Sequence, residues 1–174
     1  MMISSSPDSL KDILKAYAIY KDSFKITKRS IKQSDDRLLK RTIFDANAPD
    51  EAERLIETSE RHIEDFYVVF LWAYFERYVI QYIIKKGNKL KEIYPNALAT
   101  KLYDKYEKEV EYWRFNDTLD LLKEIIDPGT IGEAKQIKQY RDWLVHRNKP
   151  ASSSIRPIAA FETLSAIISV LDEN

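Results

Sequence analysis

The amino-acid sequence predicts an all-α fold, an antiparallel bundle of about five to six helices. Three observations favour this class. All six prolines lie where a helix can begin or end, only three glycines occur, and no residue pair has the character of a β-hairpin turn. Between the prolines the apolar residues recur with helical spacing. The chain has 174 residues, 44% of them apolar, so residues 1–174 are expected to form one helical domain.

The first half of the chain predicts two long helices. The first covers Pro7 to Lys32, with Ser6 as its N-terminal cap. A polar stretch from Ser34 to Ala48, containing a short helical piece, leads to the second helix, Pro49 to Lys86. A proline opens that helix, two lysines near its end complement the helix dipole, and Gly87 is expected just beyond it in the left-handed conformation.

The second half predicts four further helical segments. They are a charged, tyrosine-rich helix from Asn88 to Trp113 broken at Pro95, a short helix capped by Asp117 and ending near Asp127, a helix that carries Arg141 and His146, and an apolar helix from Pro157 to Leu171. Thr130 and Glu133 have the spacing of a capping box, which predicts that the third of these segments opens there.

The most apolar stretch runs from Phe66 to Ile84, which approaches the ~20 residues needed to span a bilayer. Glu76, Arg77 and Gln81 interrupt it, and charge near the centre of a span is costly. We therefore expect a buried central helix and no membrane contact. Residues 1–8 lack the pattern of a secretory signal, and the sequence contains no cysteine, which fits a cytoplasmic protein.

The charge balance limits the ways in which the chain can bind nucleic acid. Lysine and arginine number 28, as do aspartate and glutamate, so the net charge is zero. A neutral protein has no overall field that attracts a polyanion, and any such binding must use a local patch. The absence of cysteine also excludes disulfides, thiol catalysis and thiolate metal sites.

The segment YRDWLVHR, residues 140–147, concentrates the candidate functional groups. Arg141 suits phosphate because its planar fork matches two phosphate oxygens, and His146 can move a proton near neutral pH. Asp142 lies four residues before His146, one helical turn away, so its carboxylate can hydrogen-bond the imidazole and fix its tautomer.

Arg141 is unusual because it falls within the apolar stripe of its predicted helix. That stripe comprises Ala134, Ile137, Arg141 and Leu144, with Tyr140 and Val145 at its edges. A guanidinium at such a position needs an anionic partner, since isolated buried charge is costly. Two alternatives stay open: an ion pair with Glu76, or a phosphate met at a cleft or subunit interface.

This segment resembles the signature of the HEPN superfamily, in which an arginine is followed after four to six residues by a histidine. The residue after the arginine in that family is polar, as Asp142 is, and the aromatic helix with an embedded glutamate, Trp72 to Glu76, is similar to the central helix of several HEPN branches. Two positions depart from family patterns: Asn148 replaces a tyrosine modified in one toxin branch, and Arg147 replaces a frequent glycine.

The resemblance implies a metal-independent endoribonuclease without a cofactor, acting as a homodimer on an RNA substrate. Many such proteins are toxins with an antitoxin partner or effectors of phage defence. Arg141 and His146 would be the catalytic pair and Asp142 the accompanying polar residue. His146 would take the proton of a ribose 2′-OH, and the product would carry a 2′,3′-cyclic phosphate.

Four cations on or just after the same helix would form the local basic patch for RNA: Lys135, Lys138, Arg147 and Lys149. Two other readings stay open. One is a non-catalytic HEPN module that binds a nucleotide, RNA or a protein. The other is a plain helical interaction protein in which Arg141 pairs with Glu76.

Overall fold

The computed structural model describes residues 8–45, 47–146 and 154–174, and within these ranges it is entirely helical. Seven α-helices occur there: α1 (Asp8–Lys32), α2 (Asp36–Leu39), α3 (Pro49–Gly87), α4 (Asn96–Glu109), α5 (Phe115–Leu121), α6 (Pro128–His146) and α7 (Pro157–Glu173). Three short 3-10 helices lie at Asn88–Glu92, Val110–Tyr112 and Leu122–Glu124. The all-α class is confirmed. The expected five to six helices become seven because the four-residue α2 is a separate element.

Helix α3 is the central element of the bundle. It packs against α1, α4, α6 and α7, and five of its inward side chains are at most 1% exposed: Val68, Leu71, Trp72, Phe75 and Val79. Burial of large apolar side chains against several neighbours supplies most of the stability that a helix of this length needs. None of the described helices has both the length and the apolar character required to cross a membrane.

The end of α3 differs from the sequence-based expectation. Gly87 has φ −65° and ψ −13°, so the chain continues right-handed into the 3-10 helix Asn88–Glu92 rather than stopping at a left-handed residue. Glycine is needed there for another reason: a Cβ at this position would lie 2.1 Å from Cε1 of Tyr106. The Tyr106 hydroxyl donates to the carbonyl of Ile83 at 2.5 Å, which fixes the ring against the helix end.

The start of α6 also differs, because the capping box expected at Thr130 and Glu133 does not form. The helix begins at Pro128, and the Asp127 carboxylate accepts from the backbone N–H of Thr130 at 2.9 Å. Aspartate before a first-turn proline is itself a strong helix start. Glu133 instead accepts from the hydroxyl of Thr163 on α7 at 2.9 Å.

Other boundaries shift by a few residues. α5 begins at Phe115, so the expected cap Asp117 lies inside its first turn, and Arg114 precedes the helix. The expected break at Pro95 is confirmed, since α4 begins at Asn96. Ser6 and Pro7, expected to open the first helix, lie outside the described residues.

The buried side of α6 is rotated relative to the predicted stripe. Ile131, Ala134, Ile137 and Tyr140 are buried, whereas Val145 is 56% exposed. Tyr140, expected at an edge, can enter the interior because its hydroxyl donates to Asp65 of α3 at 2.6 Å. In the last turn of α6, Trp143 and Leu144 still pack partly buried against the core, and Val145 and His146 are exposed.

Candidate active site

Arg141 lies where α6 packs against α3, and its guanidinium is bound by two carboxylates. Nη2 donates to Oε2 of Glu76 at 2.9 Å, and Nη1 lies 3.0 Å from Oδ1 of Asp142. The Arg141 side chain is 21% exposed. Of the two alternatives for this arginine, the structure shows the ion pair with Glu76.

The α3 sequence positions both groups that contact this guanidinium. Trp72 and Glu76 are four residues apart, so the indole and the carboxylate lie one turn apart on the same side of the helix. Trp72 is fully buried, with its ring centre 5.3 Å from that of Phe115. The guanidinium carbon of Arg141 lies 5.7 Å from the centre of the Trp72 ring, a cation–π distance. A rigid, buried indole therefore fixes one face of the arginine.

Asp142 binds two cations and does not orient His146, contrary to the sequence-based expectation. Its Oδ2 accepts from Nζ of Lys138 at 2.6 Å, while its Oδ1 faces Arg141. Lys138 lies one helical turn before Asp142, and His146 lies one turn after it. Lys138 and Arg141 are cations, and their charge-assisted hydrogen bonds to the carboxylate are stronger than those of a neutral donor.

Glu76, Lys138, Arg141 and Asp142 together form a cluster that we call the Arg141 cluster. It contains two cations and two anions, so its formal charge is zero, and its side chains are between 20% and 35% exposed. Within the described residues, two buried side-chain N–H groups have no hydrogen-bond acceptor, Nε of Arg141 and Nε1 of Trp72. The arginine is thus held firmly while part of its hydrogen-bonding capacity is unused.

His146 is the last residue of α6 and is exposed. Among the described residues it has neither a hydrogen bond nor an ion pair, so the imidazole is accessible. It lies five positions after Arg141, which on an α-helix corresponds to a rotation of about 140° and a rise of about 7.5 Å. Within one subunit the two side chains therefore leave the helix in different directions.

The predicted basic patch is only partly described, and its described part is ion-paired. Nζ of Lys135 lies 2.6 Å from Oδ2 of Asp120 on α5, and Lys138 binds Asp142 at the same distance. Arg147 and Lys149 lie outside the described residues. The sequence did not predict two features of the site: the contact of the Trp72 ring with Arg141, and the ion pair between Lys138 and Asp142. Both could have been found from four-residue spacings, Trp72 to Glu76 and Lys138 to Asp142.

Across the described ranges, no group of three or more histidine, aspartate and glutamate side chains could hold a metal ion. No family model matches the chain, and neither a curated protein nor a solved structure matches it.

Proposed function

We propose that this protein is a metal-independent endoribonuclease of the HEPN type, acting through Arg141 and His146. One observation carries the proposal. On one helix, a guanidinium held by Trp72 and Glu76 is followed five residues later by an exposed imidazole that no described residue engages. A fixed cation and a free proton carrier are the two groups that cleavage by a ribose 2′-OH requires.

The reaction needs no group from outside the protein and its RNA. Neutral His146 takes the proton of the 2′-OH as the oxygen attacks the adjacent phosphorus. The bond from phosphorus to the 5′ oxygen then breaks, giving a 2′,3′-cyclic phosphate. The departing oxygen takes a proton and becomes a free 5′-OH. An imidazolium supplies this proton, and in a dimer that group is the partner subunit's His146.

Arg141 stabilises the charge that collects on the phosphoryl oxygens. Its orientation is set before RNA arrives, by the Trp72 ring on one face and the Glu76 carboxylate at Nη2. A donor that is already oriented loses little energy to reorganisation during the reaction, which is the main source of electrostatic catalysis. Asp142 contributes to this orientation in the RNA-free protein.

We propose a homodimer because of the directions of the two side chains. Because Arg141 and His146 diverge on α6, an RNA phosphate is reached most simply by Arg141 of one subunit and the partner subunit's His146. Val145 precedes His146 and is 56% exposed, which supplies an apolar contact for a second copy. Light scattering on the protein as it elutes from a size-exclusion column tests this, and we expect the mass of a dimer. In the cell, we propose a role as a toxin with an antitoxin protein, or as a defence effector.

One observation favours a second candidate, a non-catalytic helical module that binds a nucleotide, RNA or a protein. The Arg141 cluster is electrically neutral, and both terminal nitrogens of the guanidinium already face carboxylates. In that case Arg141 stabilises the packing of α6 on α3 and takes no part in chemistry. Cleavage assays separate the two candidates.

The test is cleavage of mixed-sequence RNA by purified protein in excess chelator. Wild type is compared with His146→Ala and with His62→Ala, since His62 is the only other histidine and is also exposed. We expect wild type and His62→Ala to cleave and folded His146→Ala to be inactive. Cleavage by His146→Ala at the wild-type rate, or by none of the three proteins, contradicts the proposal.

A further inference from the structure

We propose that Asp142 and Lys138 form a gate over Arg141. In the RNA-free protein Asp142 occupies Nη1 of the guanidinium; an RNA phosphate takes its place, and Lys138 retains the displaced carboxylate. Asp142 and Lys138 are therefore positioning residues that control substrate binding. The inference rests on the proposed function, because it concerns the same arginine.

The geometry shows which of the two carboxylates can leave. Glu76 binds Nη2 of Arg141 and, among the described residues, has no second cation. Asp142 has two cations, Arg141 at 3.0 Å and Lys138 at 2.6 Å, one on each oxygen. Losing Arg141 would leave Glu76 uncompensated, whereas Asp142 would keep its shorter ion pair.

Exposure agrees with this assignment. The Asp142 side chain is the most exposed of the four at 35%, and Glu76 is 31% exposed. The opposite part of the guanidinium is closed, because Nε is buried and the ring of the fully buried Trp72 lies against it. A phosphate therefore reaches Arg141 most easily from the side that Asp142 covers, and Asp142 must move when it does.

The net charge of the Arg141 cluster gives the gate a measurable effect. With both carboxylates in place the Arg141 cluster is neutral, and a phosphate adds a negative charge to it. Replacing Asp142 by asparagine removes the competing anion and gives the cluster one net positive charge. We expect Asp142→Asn to bind RNA about three- to tenfold more tightly at moderate salt. In a cleaving protein the same variant should lower KM more than it changes kcat.

The probe is a fluorescent RNA in which every sugar is 2′-O-methylated, so that it binds but cannot be cut. Fluorescence anisotropy gives its affinity for wild type, Asp142→Asn and Glu76→Gln, each first shown to be folded by circular dichroism. Glu76→Gln is the matched control, because it removes the same charge from the same guanidinium. Because both variants give the cluster the same net charge, the gate predicts a larger gain for Asp142→Asn than for Glu76→Gln; equal gains would mean a general charge effect and would overturn it.

Substitution of Lys138 provides a second, independent test of the gate. If the lysine acts by receiving Asp142, then Lys138→Met weakens RNA binding in the wild-type background at least threefold more than in the Asp142→Asn background. If Lys138 instead contacts RNA directly, the loss is equal in both backgrounds, and the gate is wrong. Glu109→Gln alters the similarly spaced Lys105–Glu109 pair of α4. It shows how much RNA binding changes when one negative charge is removed at a distant site.

Failure of the gate and failure of the proposed function give different results. Tighter binding by Asp142→Asn in a protein that cuts no RNA supports the gate on a binding module and removes the nuclease proposal. Metal-independent cleavage that depends on His146, with binding unchanged or weakened in Asp142→Asn, supports the nuclease and overturns the gate.

Discussion

Nη2 of Arg141 and Oε2 of Glu76 lie 2.9 Å apart, joining α6 to α3 across 65 residues of sequence. The pair is partly shielded, with side chains 21% and 31% exposed, and the guanidinium also faces the ring of Trp72. This contact fixes the candidate catalytic arginine to the central helix, so the packing of the bundle and the geometry of the site depend on each other.

The first prediction concerns the stability of this contact. Glu76→Gln leaves the Arg141 charge with a weaker partner in a partly desolvated position, which should reduce the free energy of unfolding by about 1–3 kcal/mol. Glu111→Gln is the control, because Glu111 pairs with Arg77 at 3.0 Å where both side chains are about half exposed. Its cost should stay below about 0.5 kcal/mol. Urea denaturation measures both, and equal losses would contradict the shielding of the Arg141 pair.

The second prediction concerns the shape of the arginine. Arg141→Lys keeps the charge but loses the planar fork that binds Glu76 and lies against Trp72. We expect kcat/KM for RNA cleavage to fall at least tenfold, which is about 1.4 kcal/mol of transition-state stabilisation. Arg77→Lys makes the same exchange in an exposed ion pair of α3 and should retain wild-type activity. Wild-type activity in Arg141→Lys would mean that only charge matters at this position.

The third prediction uses two glycines in different surroundings. A Cβ at Gly87 would meet the Tyr106 ring at 2.1 Å, and moving the ring would break its hydrogen bond to Ile83. Gly87→Ala should therefore destabilise the protein by about 1–3 kcal/mol. Gly132 lies inside α6 with nothing within 4 Å of its Cβ position, so Gly132→Ala should stabilise by about 0.5–1 kcal/mol. Thermal unfolding measures the change in stability of both variants. If both were stabilised, or both destabilised, the steric account would be refuted.

The fourth prediction is a pH dependence at the contact of α1 with α3. Hydrogen bonds from Lys21 and then Lys28 lower the pKa of Glu60 below its usual 4.5. A lowered pKa means stabilisation that is complete above the unfolded pKa and lost as the pH falls through the folded one. At pH 7 we expect Glu60→Gln to be about 1–2 kcal/mol less stable than wild type, a difference that should shrink below about pH 4.5.

Urea denaturation between pH 3 and pH 7 checks this pH dependence. Glu57→Gln, at an exposed position one turn earlier on α3, is the control and should follow wild type over the whole range. A Glu60→Gln difference that does not change with pH would show that the two lysines do not stabilise the charged form of Glu60.

The sequence predicted the helices better than their ends. The long helix from Pro49 was placed within one residue of its observed end, because proline, apolar spacing and terminal lysines agree there. The prediction of a left-handed Gly87 was wrong. Glycine is required there because of the Tyr106 ring, nineteen residues further along the chain. Local patterns contain no information about which distant ring will approach a helix end.

At the candidate site, sequence reasoning named Arg141 and Glu76 as possible partners because a charge in an apolar stripe needs a counter-charge. The partners of Asp142 were misjudged, since helical spacing allows contact one turn either way and does not choose between Lys138 and His146. That choice depends on relative charge, since Lys138 and Arg141, both cations on the same helix as Asp142, bind its carboxylate.

The most direct measurement of the central claim is the chemical identity of the ends that the wild-type protein leaves on RNA in excess chelator, read by mass spectrometry. Attack by the ribose 2′-OH, with His146 as base and Arg141 on the phosphate, predicts 2′,3′-cyclic phosphate and 5′-OH ends, and no cutting where the sugar lacks its 2′-OH. Products with 5′-phosphate and 3′-OH ends, or intact RNA, would contradict the account.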